Sequence, residues 1–146
     1  MLMGDYKHAI DAKGRLFMPY RLKEDLGDTF YLLRGPHAGM LLVYPQKTFQ
    51  VLAEKIENIP LNDFEAQDAA SMFLAGSQKG ELDKQGRVLI NQELRDHGQL
   101  AKDCFIQGKI NRVEIWDLEI WQQRMQGLSS EGTFADAFSK LQQYGL

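Results

Sequence analysis

One stretch of this chain is written twice, 72 residues apart, and no other feature limits its possible folds as much. Laid without a gap over Lys79 to Asp96, the segment Lys7 to Glu24 gives five identical pairs: Lys7/Lys79, Asp11/Asp83, Gly14/Gly86, Arg15/Arg87 and Leu22/Leu94. Unrelated segments of ordinary composition would give about one. Apolar positions keep their character as well, in Ile10/Leu82, Leu16/Val88, Phe17/Leu89 and Met18/Ile90, and the same offset carries Val43-Tyr44 onto Ile115-Trp116 and Phe49 onto Trp121. A unit of roughly 45 residues can hardly bury enough apolar surface to stand alone, so two tandem copies must share one core.

Local signals give each copy the order ββαββ. A short strand, Lys7 to Asp11 or Lys79 to Asp83, meets a turn containing Gly14 or Gly86 and leaves as a second strand, Arg15 to Met18 or Arg87 to Ile90. That reads as a hairpin, with glycine supplying the positive φ that other residues resist. A short helix follows, opened by Pro19 or capped by Asn91 and stopped near Gly27 or Gly98, with Leu22 and Leu94 inward. A second strand pair comes next, Phe30 to Arg34 with Leu41 to Tyr44, or Cys104 to Gln107 with Val113 to Trp116. Helices then open at Pro45 and Asp117, with Phe49, Leu52 and Ile56, or Ile120 and Trp121, facing inward. The expected division is a first unit over 5–50, a helical connector over 51–76 whose Phe64, Met72 and Phe73 suggest a packed helix, a second unit over 77–122 and a terminal helix over 123–146. Phe134, Phe138 and Leu141 give that last helix one apolar face.

Composition narrows the function. The chain is 44% hydrophobic and 25% charged, and no apolar run approaches the roughly 20 residues of a membrane span. The start carries no basic stretch followed by an apolar run, and Cys104, a single cysteine, cannot make an internal disulfide, so a cytoplasmic location is expected. A net charge of −3 argues at face value against nucleic acid, but its distribution reverses the inference. Lys7 to Lys23 holds five basic residues against one acid, whereas Lys79 to Arg95 holds four against three.

Enzymatic chemistry finds little support. His8, His37 and His97 stand far apart, Cys104 lies in an apolar strand pattern, and no metal-ligand spacing, phosphate-binding loop or nucleophile elbow occurs. No cofactor and no small-molecule substrate are expected. The Asp-x-x-Gly-Arg turns admit two readings. Asp11 and Asp83 can simply bond their own turn backbone while Arg15 and Arg87 pair with those carboxylates. Alternatively, Arg15 can bond guanine and Lys13 hold phosphates, because a slim hairpin fits the major groove of ~12 Å.

These turns also carry a resemblance. Gly4-Asp5-Tyr6, Asp11-Ala12-Lys13-Gly14-Arg15, Val43-Tyr44-Pro45, Pro60-Leu61, Phe73-Leu74-Ala75-Gly76, Glu81-Leu82-Asp83-Lys84-Gln85-Gly86-Arg87 and Asn111-Arg112-Val113-Glu114-Ile115-Trp116 together resemble the MraZ family of bacterial transcriptional regulators. The match runs nearly end to end. It implies an α+β fold in which two tandem swapped-hairpin units of the SpoVT/AbrB type interlock into one small β-barrel with peripheral helices. It further implies a ring-forming homo-oligomer, nucleoid-associated, that binds G-rich direct repeats in double-stranded DNA upstream of its own division and cell-wall operon. Carried onto this chain, the DNA-binding positions are Arg15, Lys13, Lys7, Arg87 and Lys84, with Asp11, Gly14, Asp83 and Gly86 structuring the turns. Asn91 stands where the family commonly has proline, and Gln85 replaces a possible lysine, which weakens the second copy's claim to DNA more than its claim to the fold. The rival from another class is an antitoxin-like protein-binding module.

Overall fold

A computed structural model describes the backbone of all 146 residues and every side chain except that of Glu131. The elements run β1 (Leu2–Ala9), β2 (Arg15–Phe17), α1 (Tyr20–Leu26), β3 (Thr29–Arg34), β4 (Met40–Pro45), α2 (Gln46–Glu57), α3 (Phe64–Leu74), β5 (Gln78–Glu81), β6 (Arg87–Leu89), α4 (Gln92–Gly98), β7 (Asp103–Ile110), β8 (Val113–Asp117), α5 (Leu118–Glu131) and α6 (Phe134–Gln142). Eight strands form a six-stranded sheet in the order β1-β7-β8-β4-β3-β5 and a separate two-stranded ribbon, β2-β6. The ββαββ order holds in both copies.

The partners of these strands differ from the local hairpins expected. β1 and β2 meet at a single bridge, Ile10 with Leu16, after which β2 leaves to pair with β6 of the other copy. β1 pairs along its whole length with β7, and β5 pairs with β3, so each copy donates its first strand to the other copy's sheet. Burial explains the exchange. Leu16 and Val88 face each other across the ribbon and are 0% and 1% exposed, a burial that neither three-residue strand could reach against its own copy alone. These pairings leave the large sheet open, with β1 and β5 as its edges.

The main core joins the ribbon's Leu16 and Val88 to Leu22 and Leu94 of the short helices and to Leu32, Leu41, Ile106 and Ile115 of the sheet. Truncating a side chain such as Leu94, fully buried here, would cost about 2–5 kcal/mol. The helix ends follow their sequence signals. Gly27 takes φ 81° to stop α1, and the Asn91 carboxamide oxygen accepts from Leu94 N–H at 2.9 Å to start α4. The second stop shifts by one residue, because the left-handed position is Gln99 at φ 50°, while Gly98 lies buried against Leu100 and Leu41.

The outer helices pack less than their patterns suggested. Phe49, Leu52 and Ile56 of α2 are only half-buried, Phe49 stacking on Tyr31 at 4.2 Å. α3 buries none of its residues: Phe64 and Met72 stay 75% and 70% exposed, and Phe73, Leu74, Gln67 and the alanines 66 and 70 turn only partly inward. α5 does better through Trp121, which stacks on Phe105 at 3.7 Å over a small second cluster with Met40, Leu42 and Trp116. The expected boundaries at 50/51 and 122/123 fall inside α2 and α5. Among the described residues no helix is long and apolar enough to cross a membrane.

Candidate nucleic-acid interface

Both Asp-x-x-Gly-Arg turns sit at the ends of the ribbon and have one construction. Asp11 Oδ1 accepts from the backbone N–H of Lys13 and of Arg15, each at 2.9 Å, and its Oδ2 accepts from Arg15 Nε at 2.6 Å. Asp83 repeats the pattern with Gln85 N–H, Arg87 N–H and Arg87 Nε, all at 2.9 Å. The backbone closes each turn through Gly14 N–H to the Asp11 carbonyl and Gly86 N–H to the Asp83 carbonyl, both 3.0 Å, with φ at 88° and 81°. Donors aimed at the ionised form, led by the backbone N–H of Arg15 or Arg87, hold both carboxyls below the usual aspartate value.

Each turn is also clasped by the opposite copy. Met18 N–H donates to the Gly86 carbonyl at 3.0 Å, and Ile90 N–H donates to the Gly14 carbonyl at 2.9 Å. Above the glycines lie two basic side chains that share the 72-residue offset: Arg95 of α4 against Gly14, and Lys23 of α1 against Gly86. A Cβ at Gly14 would fall 2.7 Å from Arg95 Nε and 2.9 Å from the Ile90 carbonyl oxygen, so that side is tightly filled. Arg95 is fixed there by donating from Nε to the Ile90 carbonyl at 3.0 Å.

The ribbon's pairing decides which side chains share a face. Arg15 lies opposite Leu89 and Phe17 opposite Arg87, and since Leu16 and Val88 between them point into the core, these four point away from it. The Arg87 guanidinium sits 5.9 Å from the centre of the Phe17 ring and 4.0 Å from Asp11 Oδ2. With Nε of each arginine tied to its aspartate, the terminal nitrogens are the remaining donors, and Nη1 of Arg87 already faces Asp11. Among the described residues no hydrogen-bond partner meets those of Arg15. Such a fork is the geometry that bonds the O6 and N7 edge of guanine or a phosphate.

Four of the five sequence candidates therefore gather on the ribbon: Arg15 and Arg87 on its outer face, Lys13 and Lys84 exposed on the turns. Lys7 does not join them. In β1 the inward positions are Leu2 and Tyr6, continued by Ile10 just past its end, and His8 lies 6.3 Å from the Phe17 ring, so Lys7 points to the sheet's other face, in register with Phe105. Local reading missed Lys23 and Arg95 as turn supports, and took Phe17 and Leu89 only for conserved apolar character although they are 44% and 57% exposed. The signal for the first pair was present, as two basic residues at the repeat offset. Cys104 is an inert core thiol, fully buried, with burial pushing its pKa up to about 12.

A family model described as "MraZ protein, putative antitoxin-like" matches the chain twice, over residues 1–71 and 73–143. The chain belongs to the MraZ family. Curated relatives of that family named transcriptional regulators include one from Heliobacterium modesticaldum, 46% identical over 123 residues that cover 84% of this chain and 85% of the relative. Another, from Carboxydothermus hydrogenoformans, is 43% identical over 87% of this chain and 88% of its own length. A third, from Natranaerobius thermophilus, is 42% identical over 89% and 90%. The two family matches meet at residue 72, within α3.

Proposed function

We propose that this chain is a sequence-specific DNA-binding transcriptional regulator without enzymatic activity, which enters the major groove with the β2-β6 ribbon and its two turns. The observation that carries this reading is the pair of arginines on the ribbon's outer face, each fixed through Nε by a turn aspartate, with the terminal nitrogens of Arg15 left as donors and one of Arg87's turned to Asp11. Arg15 reads guanine, Arg87 supports it, and Lys13 and Lys84 hold flanking phosphates. Lys7, on the far face of β1, takes no base and at most attracts the duplex at long range. The exchange of β1, β2 and β5 between the copies supports the swapped-hairpin reading of the fold. With a net charge of −3 a single ribbon binds weakly, so the protein works as a homo-oligomer, a ring whose ribbons meet successive G-rich direct repeats upstream of its own division and cell-wall operon. It acts in the cytoplasm, at the nucleoid.

A band shift with the DNA upstream of the protein's own gene tests this. Retardation that survives excess unrelated DNA is expected; none at moderate salt contradicts it. The rival reading, an antitoxin-like protein-binding module, calls for an extended acidic tail, whereas the capped helix α6, with Phe134, Phe138 and Leu141 at 84%, 42% and 48% exposed, supports a surface that joins subunits.

A further inference from the structure

Phe17 and Leu89 occupy equivalent positions of the repeat, on adjacent strands of the ribbon, both turned away from the core. Scattered exposed apolar residues are ordinary, but these two are not scattered. They lie diagonally across the ribbon's outer face, each opposite a guanidinium, Leu89 facing Arg15 and the Phe17 ring lying under Arg87. That setting excludes an apolar protein partner as the natural occupant, because covering the patch would strip water from both arginines without compensation. A duplex meets both needs at once: its phosphates and guanine edges take the guanidiniums, and the major groove offers one apolar group, the 5-methyl of thymine. Two strands about 4.8 Å apart fit a groove of ~12 Å with the outer face towards the base edges.

We propose that Phe17 and Leu89 are specificity-determining residues that pack against thymine 5-methyl groups beside the guanine read by Arg15. This rests on the ribbon entering the major groove as set out above. The two residues read apolar methyls and Arg15 reads guanine acceptors, and together they distinguish thymine from cytosine at positions where Arg15 does not bond.

The test amplifies the DNA upstream of the protein's own gene with dUTP in place of dTTP, which removes only the methyl groups, and titrates the protein against both duplexes at one salt concentration. Wild type should bind the uracil duplex about fourfold more weakly for each methyl in contact. The Phe17→Ala, Leu89→Ala double variant should bind both duplexes alike, and each single variant should fall between. Thermal unfolding of the variants, expected near that of wild type because both side chains are exposed, separates lost contacts from lost fold. Equal binding of the two duplexes by wild type, or an undiminished uracil penalty in the double variant, overturns the proposal while leaving DNA binding in place. No binding to the thymine duplex overturns both it and the reading on which it rests.

Discussion

The first and second turns share a sequence signature and a hydrogen-bond pattern, yet their arginines live in different surroundings. Arg15 is 32% exposed and meets one carboxylate, Asp11. Arg87 is 19% exposed and meets Asp83 at 2.9 Å, Asp11 at 4.0 Å and the Phe17 ring. One motif thus serves two ends. The freer copy keeps donors for a ligand, while the enclosed copy ties the ribbon together. The glycines reverse the order: Gly14 is pressed between Arg95 and the Ile90 carbonyl, whereas Gly86 faces only the flexible end of Lys23. Each turn is built by its own aspartate and closed over by the other copy, through Ile90 and Arg95 at Gly14 and through Met18 and Lys23 at Gly86.

Exchanging the arginines for alanine gives the largest expected contrast. Arg15→Ala should lower affinity for the upstream DNA by the ~1–3 kcal/mol of a good base contact at each engaged ribbon, with little change in thermal unfolding. Arg87→Ala should cost less affinity and more stability, about 1 kcal/mol or a few degrees in Tm, because it leaves Asp11 and Asp83 short of a partner. Binding titrations beside thermal melts of both variants check this; equal affinity losses at unchanged stability would place both arginines on DNA.

The glycines should break the symmetry in the opposite direction. Gly86→Ala meets the positive-φ penalty of roughly 1–2 kcal/mol, since the Lys23 amine can swing aside. Gly14→Ala adds a clash with a backbone carbonyl and should lose about 3 kcal/mol in all. Urea unfolding of the pair measures the difference, and equal losses would mean that the clasp over Gly14 yields easily.

These contrasts mark how far the sequence could be read. The repeat, the two glycine turns, the short helices opened at Pro19 and capped by Asn91 and the inward Leu22 and Leu94 were legible because each follows from neighbours in the chain. The strand exchange was not, since a strand of three residues carries no record of its partner, and Leu16 looks the same whether it faces its own copy or Val88. Lys23 and Arg95 escaped for the same reason: each touches a glycine more than 60 residues away. Phe64 and Met72 misled in another way, because apolar spacing describes a helix but does not guarantee a surface to cover it.

Smaller effects sharpen the comparison further. Lys13→Ala and Lys84→Ala should each reduce the slope of log affinity against log salt by about one, for cognate and random DNA alike. A lysine change that altered base preference without altering the slope would exchange its role with that of Arg15.

Acid should weaken both turns. Each aspartate has a folded pKa below its ordinary value, so its contribution is complete above the unfolded value of 3.8 and is lost as pH falls through the lower folded value. The Tm gap between wild type and Asp11→Asn, or Asp83→Asn, should therefore stay constant from pH 7 to pH 5 and close only below about pH 4. The Asp11 gap should be the wider, because Arg87 adds a second cation. A gap independent of pH down to the acid limit would deny the carboxylates this role.

The most direct test of the division between the turns replaces guanine by 7-deazaguanine in the upstream DNA, which removes the N7 acceptor and leaves base pairing intact. Wild type and Arg87→Ala should both bind the altered duplex more weakly than the normal one, whereas Arg15→Ala should bind the two alike. An Arg15→Ala protein that keeps the full wild-type penalty would show that Arg15 does not read guanine.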